Sequence, residues 1–261
     1  MLEASIACMI RPASSHRSKA EHVAERLLER IIAEGLKPGS SFATEAELLG
    51  QFNVSRPTLR ESLKLLESQG VLERRPGPGG GTIVREPSID LLAHEFSVFL
   101  RLREVPFATV LKAREVIEPA LAREAAINGS EAHFRELDAS IERMRSLEAP
   151  RDQERFIAEN RVFHGVIARA SGNKVLEVFW ETISILADGE HHGVRYSVGN
   201  QLHVIKAHEG IVAACRARKG EVAAAAMQEH VGELEHLVRA RFQHLLKHPT
   251  SVVERPGRPI A

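Results

Sequence analysis

Residues 53–84 read NVSRPTLRESLKLLESQGVLERRPGPGGGTIV. Ser55 is placed to cap a helix, because its hydroxyl accepts a backbone N–H from the first turn. Pro57 falls inside that turn, where a missing N–H costs little. Leu59, Leu63, Leu65 and Leu66 then form a helical apolar stripe, and Gly70 stands where a helix commonly ends. Beyond it, Val71–Arg75 and Thr82–Arg85 have the composition of two short strands, and the glycine- and proline-rich residues 76–81 between them predict a loop. Helix, strand, glycine-rich tip and strand make the outline of a winged helix-turn-helix.

The residues upstream extend that outline. Ser18-Lys19-Ala20-Glu21 and Thr44-Glu45-Ala46-Glu47 are both capping-box patterns, each followed by apolar residues at helical spacing. Three helices therefore precede the wing, with a sharp break at Gln51–Val54 between the second and third. In this motif the N-terminal end of the last helix enters the major groove, where arginine grips guanine O6 and N7. Arg56 and Arg60 are four apart and share one face at that end. Two such arginines alone would as readily be a solvated helix face; three ordered helices and a wing shift the balance toward DNA. The candidate DNA-contacting set is Thr44, Ser55, Arg56, Thr58, Arg60, Gly79, Gly80 and Gly81. The glycines are expected to let the wing backbone approach the sugar-phosphate where a Cβ would clash or forbid the turn.

Residues 18–85 resemble the DNA-binding domain of the GntR family of bacterial transcription regulators. The stretches that carry the resemblance are Ala43–Leu48, Asn53–Glu61 and Gly79–Val84. The family usually has an arginine where this chain has Ala46, so one expected DNA contact is missing.

The whole chain of 261 residues suits two domains, each able to bury its own core. Its 35 basic and 35 acidic residues cancel, so nucleic-acid binding has to come from local clustering, as at Arg56, Arg60, Arg74 and Arg75. Cys8 and Cys215 have no metal or redox spacing, which fits a reducing compartment. No run approaches a membrane span, and Met1–Ile10 lack the basic start and long apolar core of a secretion signal, so a cytoplasmic protein is expected. The expected organisation is a flexible leader over 1–17, the winged helix-turn-helix over 18–86, an all-helical domain over 87–246 and a flexible tail over 247–261.

From Ser88 onward strand signals vanish. Amphipathic stretches predict helices near 88–102, 107–127, 130–147, 152–171, 173–189, 198–217 and 220–246, a mostly α bundle of seven. Within it, Asn160 and His164 are four apart and share a helix face. His208 lies twelve residues before Gly220 and His230 ten after it. If Gly220 turns an antiparallel helix pair, those distances are about 18 and 15 Å of helix rise, so the two imidazoles stand at nearly one height. Three imidazoles gathered in this way suit a divalent metal, zinc above all. Core histidines with backbone partners are the competing reading, and spacing alone leaves both open.

The second half also resembles the FadR-type C-terminal (FCD) ligand-binding domain, in Lys112–Ala120, Asn160–His164, Ala170–Asn173 and the paired His208 and His230. The resemblance implies a divalent metal held by an acidic residue and three histidines, which map to Asn160, His164, His208 and His230. It also implies that Arg114 helps hold a carboxylate effector. Asn160 departs from the usual aspartate and is a weaker ligand for a dication. Glu159 is about 100° around the helix and is not expected to replace it. The resemblance implies a homodimeric repressor on a palindromic operator, responding to a small organic acid. The alternative is a metal-dependent enzyme built on the same histidines. Such a site needs a general base, and spacing places no carboxylate for that role. The chain also has no P-loop, nucleophile elbow or dinucleotide fingerprint.

Overall fold

The computed structural model describes residues 18–75, 81–147, 152–187, 198–241, 249–251 and 253. The chain divides into two compact units at Ser88/Ile89, two residues beyond the expected boundary.

In the first unit, α1 (Lys19–Ala33), α2 (Glu45–Phe52) and α3 (Arg56–Ser68) precede β1 (Leu72–Arg75) and β2 (Gly81–Val84). Each helix starts where a side chain takes up the orphan N–H groups of its first turn. Ser18 and Thr44 form reciprocal capping boxes with Glu21 and Glu47, and Ser55 Oγ accepts from Thr58 N. Asn53 adopts the left-handed conformation, φ 48°, and thereby turns α2 into α3. Leu27, Leu48, Leu59, Leu63 and Leu66 fill the core between the helices, and Leu72 and Val84 close it from the wing.

The strands are antiparallel, with Leu72 opposite Val84 and Arg75 opposite Gly81. Gly81 is thus a strand residue, not part of the loop expected over 76–81. The wing also has an unforeseen neighbour on its β2 side. Phe42 N donates to Thr82 O (2.7 Å) and Val84 N to Ser40 O (2.9 Å), so the Ser40–Phe42 segment covers the edge of β2. An open strand edge invites pairing with other chains, and this contact removes it.

The second unit holds seven helices among the described residues: α4 (Ile89–Leu102), α5 (Phe107–Asn128), α6 (Glu131–Arg145), α7 (Gln153–Ala170), α8 (Lys174–Leu186), α9 (Val198–Arg216) and α10 (Gly220–Arg241). This is the all-helical architecture expected from the periodicity. The core is built of alanine and branched aliphatics with Phe134, Phe156, Phe163 and Trp180.

Four polar contacts set the helix directions. Asn128 Nδ2 donates to Ser171 O (2.8 Å), joining the C-terminal ends of α5 and α7. Arg218, just past α9, donates to Gly129 O (2.7 Å), and Cys215 Sγ approaches Ala122 O (3.7 Å). Arg123 of α5 pairs with Glu221 at the start of α10. Hence α5, α7 and α9 run the same way, and α10 runs against them.

Part of the segment expected as a loose tail is docked. Thr250, fully buried, donates from N to Val105 O (2.9 Å), and Val253 N donates to Ser97 Oγ (3.1 Å) on α4. The Val105 carbonyl in the turn after α4 thereby gains a partner from the tail. The leader over 1–17 lies outside the described residues.

Candidate functional site

On the first unit, Arg56 and Arg60 project from the N-terminal half of α3 with side chains 68% and 58% exposed. Both reach Glu45 on α2, at 3.7 Å for Arg56 Nη1 and 3.0 Å for Arg60 Nε. The wing repeats the pattern: Arg74 pairs with Glu67 and Arg75 with Glu73. Every arginine of the expected basic face thus has a carboxylate beside it. Exposed pairs of this kind contribute about 0–1 kcal/mol each, so a phosphate or base edge can displace them at small cost.

The hydroxyls of Thr44, Ser55 and Thr58 are engaged locally. Thr44 Oγ1 donates to Glu47 Oε2 (2.9 Å), and the Ser55 and Thr58 hydroxyls lie 2.8 Å apart. They fix the starts of α2 and α3. A Cβ added at Gly81 would meet nothing within 4 Å, and its φ is not in the left-handed region. The protein itself therefore places no steric demand on that glycine. Gly79 and Gly80 lie outside the described residues.

In the second unit the three histidines meet in the core. His164 on α7, His208 on α9 and His230 on α10 are all buried. His208 Nε2 and His230 Nε2 are 3.0 Å apart, and His164 Nε2 and His230 Nε2 are 3.2 Å apart. One nitrogen from each of the three lies within 4.8 Å of the others. Phe163 stacks flat on His208, with ring centroids 3.6 Å apart, and holds that ring's orientation.

Glu118 on α5 completes the cluster from behind. Its Oε1 accepts from Arg114 Nε at 2.5 Å, and its Oε2 contacts His164 Nδ1. The carboxylate side chain is 2% exposed and that of Arg114 12%. Burial by itself would raise the Glu118 carboxyl, but the Arg114 guanidinium and the His164 ring beside it outweigh burial and hold Glu118 well below the usual carboxylate range. An anion facing Nδ1 keeps the ring proton there and leaves the Nε2 lone pair of His164 aimed into the cluster. Spacing placed no carboxylate here, because Glu118 reaches the histidines from a different helix.

The cluster is short of protons. A neutral imidazole nitrogen either donates or accepts. With His164 accepting at Nε2, at most one N–H fits among the three converging nitrogens. Burial, reinforced by neighbouring imidazoles, drives His208 well below its ordinary value. Burial likewise takes His230 down to about 3, with His164 adding to the effect. These rings therefore stay neutral and present lone pairs to a common point, a donor set that fits a divalent cation. Asn160 Oδ1, one turn before His164, is buried without a hydrogen-bond partner. Glu159 is committed elsewhere, to Arg143 at 2.9 and 2.8 Å. Burial pushes the Cys215 thiol up to about 11, so it is no nucleophile at neutral pH.

A winged helix-turn-helix joined to a helical domain of this kind defines a two-domain transcription regulator. The comparisons with known proteins agree. Residues 19–84 match the bacterial regulatory proteins of the gntR family, and residues 109–233 match the FCD domain. The Glc operon transcriptional activator of Escherichia coli K12 is 30% identical over 247 residues, covering 88% of this chain and 94% of its own. The HTH-type transcriptional regulator LutR of Bacillus subtilis is 28% identical over 213 residues, covering 80% of this chain and 95% of its own. A solved GntR structure from Streptococcus agalactiae shares the fold, with a TM-score of 0.65 and 22% identity over 83% of this chain and 99% of its own. The chain belongs to the GntR family, with an FCD domain following the DNA-binding domain. Among the described residues no helix is long and apolar enough to cross a membrane.

Proposed function

We propose that this regulator is a cytoplasmic homodimeric repressor, binding a palindromic operator and responding to a small organic acid in its C-terminal domain. The reading is carried by one observation: three buried imidazole nitrogens converge beside an Arg114–Glu118 pair. His164, His208 and His230 would hold one divalent metal, zinc by donor chemistry, with Asn160 as a weak neutral fourth partner. Bound there, the cation would give a carboxylate a positively charged anchor. Glu118 orients His164, and Arg114 adds a guanidinium that suits a carboxylate.

On DNA, one α3 helix per half-site enters the major groove with Arg56 and Arg60 leading, and the two-fold of the dimer matches that of the operator. Repression needs only that the bound dimer occupy promoter DNA, whereas activation needs a further contact with polymerase. The acid acts by binding one arrangement of the paired DNA-binding domains more tightly than another. The enzyme alternative is disfavoured by Glu118, the one carboxylate in contact with the cluster among the described residues, because it is committed to orienting His164.

Elemental analysis of protein purified without chelator or a histidine tag tests the site. About one equivalent of metal is expected, and Asn160→Asp should tighten it by restoring an anionic ligand. Metal well below one equivalent, unimproved by added zinc or by Asn160→Asp, would defeat the site. A gel shift on the protein's own promoter region tests the rest: a shift supports the regulator, and its absence with metal-replete protein argues against it.

A further inference from the structure

Helix α4 is the covalent link between the two units: the division falls at Ser88/Ile89, and Ile89 is its first residue. Its apolar hold on the second unit is thin. Ala93 and Ser97, both small, are its buried residues, while Leu92, Phe96, Phe99 and Leu102 are each at least 37% exposed. Helices dock chiefly by burying an apolar face, so the attachment of α4 relies on other contacts. The tail supplies four hydrogen bonds. Val253 N donates to Ser97 Oγ (3.1 Å), and His94 Nδ1, which carries the proton because it faces a carbonyl, donates to Val253 O (2.8 Å). Both backbone polar groups of Val253 are thus taken up by α4. In the turn that follows α4, Thr250 N and Thr250 Oγ1 both donate to Val105 O, at 2.9 and 3.0 Å. Val253 and Leu100 of α4 also pack against one apolar cluster, formed by Phe107, Val110 and Leu111 of α5 with Leu186 of α8. The tail therefore ties α4 to both of those helices.

We propose that Thr250 and Val253 act as a strap, fastening α4 to the helical domain and so restraining the DNA-binding domain that α4 carries. This rests on the reading above that the protein binds promoter DNA, and it adds how the two domains are coupled. With the strap docked, the chain leaves the helical domain from a fixed helix. With the strap released, α4 and the backbone before it gain freedom, which has to be given up again on DNA. Two net hydrogen bonds shift the balance between docked and released α4 by about 5- to 150-fold. Couplings between linked sites in proteins span about the same range, so the strap is weak enough for a ligand to work it. The route to the histidine cluster is short: Val110 and Leu111, which the strap packs against, stand about one turn before Arg114 on the same helix. An acid bound at Arg114 thus acts on a helix that the strap grips.

The test compares full-length wild type with Thr250→Val/Val253→Pro, which removes two of the four donors and adds no bulk at the fully buried Thr250. Hydrogen exchange read by mass spectrometry reports on α4, and fluorescence anisotropy with the protein's own promoter fragment reports on DNA binding. In the variant, α4 amides should exchange about 5- to 150-fold faster, the loss of two net hydrogen bonds, while those of α7 keep the wild-type rate. Promoter affinity should fall about 5- to 30-fold, the backbone freedom of one residue that must be fixed again on DNA. Wild-type exchange in α4, or faster exchange in α4 and α7 alike, would overturn the strap. A loosened α4 with unchanged promoter affinity would overturn the restraint on the DNA-binding domain and leave promoter binding standing. If the wild type binds no promoter DNA, the regulator reading falls and this proposal falls with it.

Discussion

Acid should destabilise the metal-free C-terminal domain, and the size of the effect follows from two side chains. His208 and His230 are buried and their folded-state values are depressed, His230 to about 3. An unfolded histidine titrates near 6.5. Between pH 7.5 and 5.5 the unfolded chain therefore takes up a proton at each position and the folded chain takes up none. Stability is complete above pH 6.5 and is lost as pH falls toward the folded values. Integrated over this window, the linkage gives about 1.4 kcal/mol per histidine, or about 2.7 kcal/mol for the pair. Total domain stabilities are about 5–15 kcal/mol, so the loss should be conspicuous. With urea slopes of about 1–3 kcal/mol per molar, the midpoint should drop by about 1–3 M. Trp180, the single tryptophan of the chain and 4% exposed, reports unfolding of this domain by fluorescence. The measurement is urea unfolding at both pH values with EDTA present, on the wild type and on His208→Gln/His230→Gln. The wild type should lose about 2.7 kcal/mol more than the double variant. Equal losses in the two proteins would refute the claim that these imidazoles are held neutral.

Two further predictions concern the DNA-binding face and a helix end. Arg56→Ala or Arg60→Ala should cost about 1–3 kcal/mol of operator affinity and relax sequence preference at one base position. Unchanged affinity in the folded double variant, measured by fluorescence anisotropy, would remove these arginines from recognition. At Gly129, which follows α5, an added Cβ would sit 2.4 Å from Ala125 O and 2.9 Å from Phe134 Cε1. Gly129→Ala should therefore destabilise the second unit by about 1–3 kcal/mol, and an unshifted urea midpoint would contradict that packing.

The amino-acid sequence alone specified what is local. Ser18, Thr44 and Ser55 cap the helices they precede, Gly70 follows the end of α3 with φ 74°, and the periodicity from residue 88 onward yields seven helices near their expected bounds. Such features depend on neighbours within one turn, and the chain spells those out. The matched heights of His208 and His230 were legible for the same reason, since a short turn converts sequence distance into helix rise. Tertiary packing decided the rest. It placed Glu118 against His164, set Glu45 between Arg56 and Arg60, covered the edge of β2 with Ser40–Phe42 and docked Thr250 beyond α4. It also gave α5, α7 and α9 one direction, which brings Arg114 and Asn160 to one side of the histidines. Periodicity tells which face of a helix is buried and nothing about which helix it meets. A contact between distant segments becomes fixed only when the whole core closes around it.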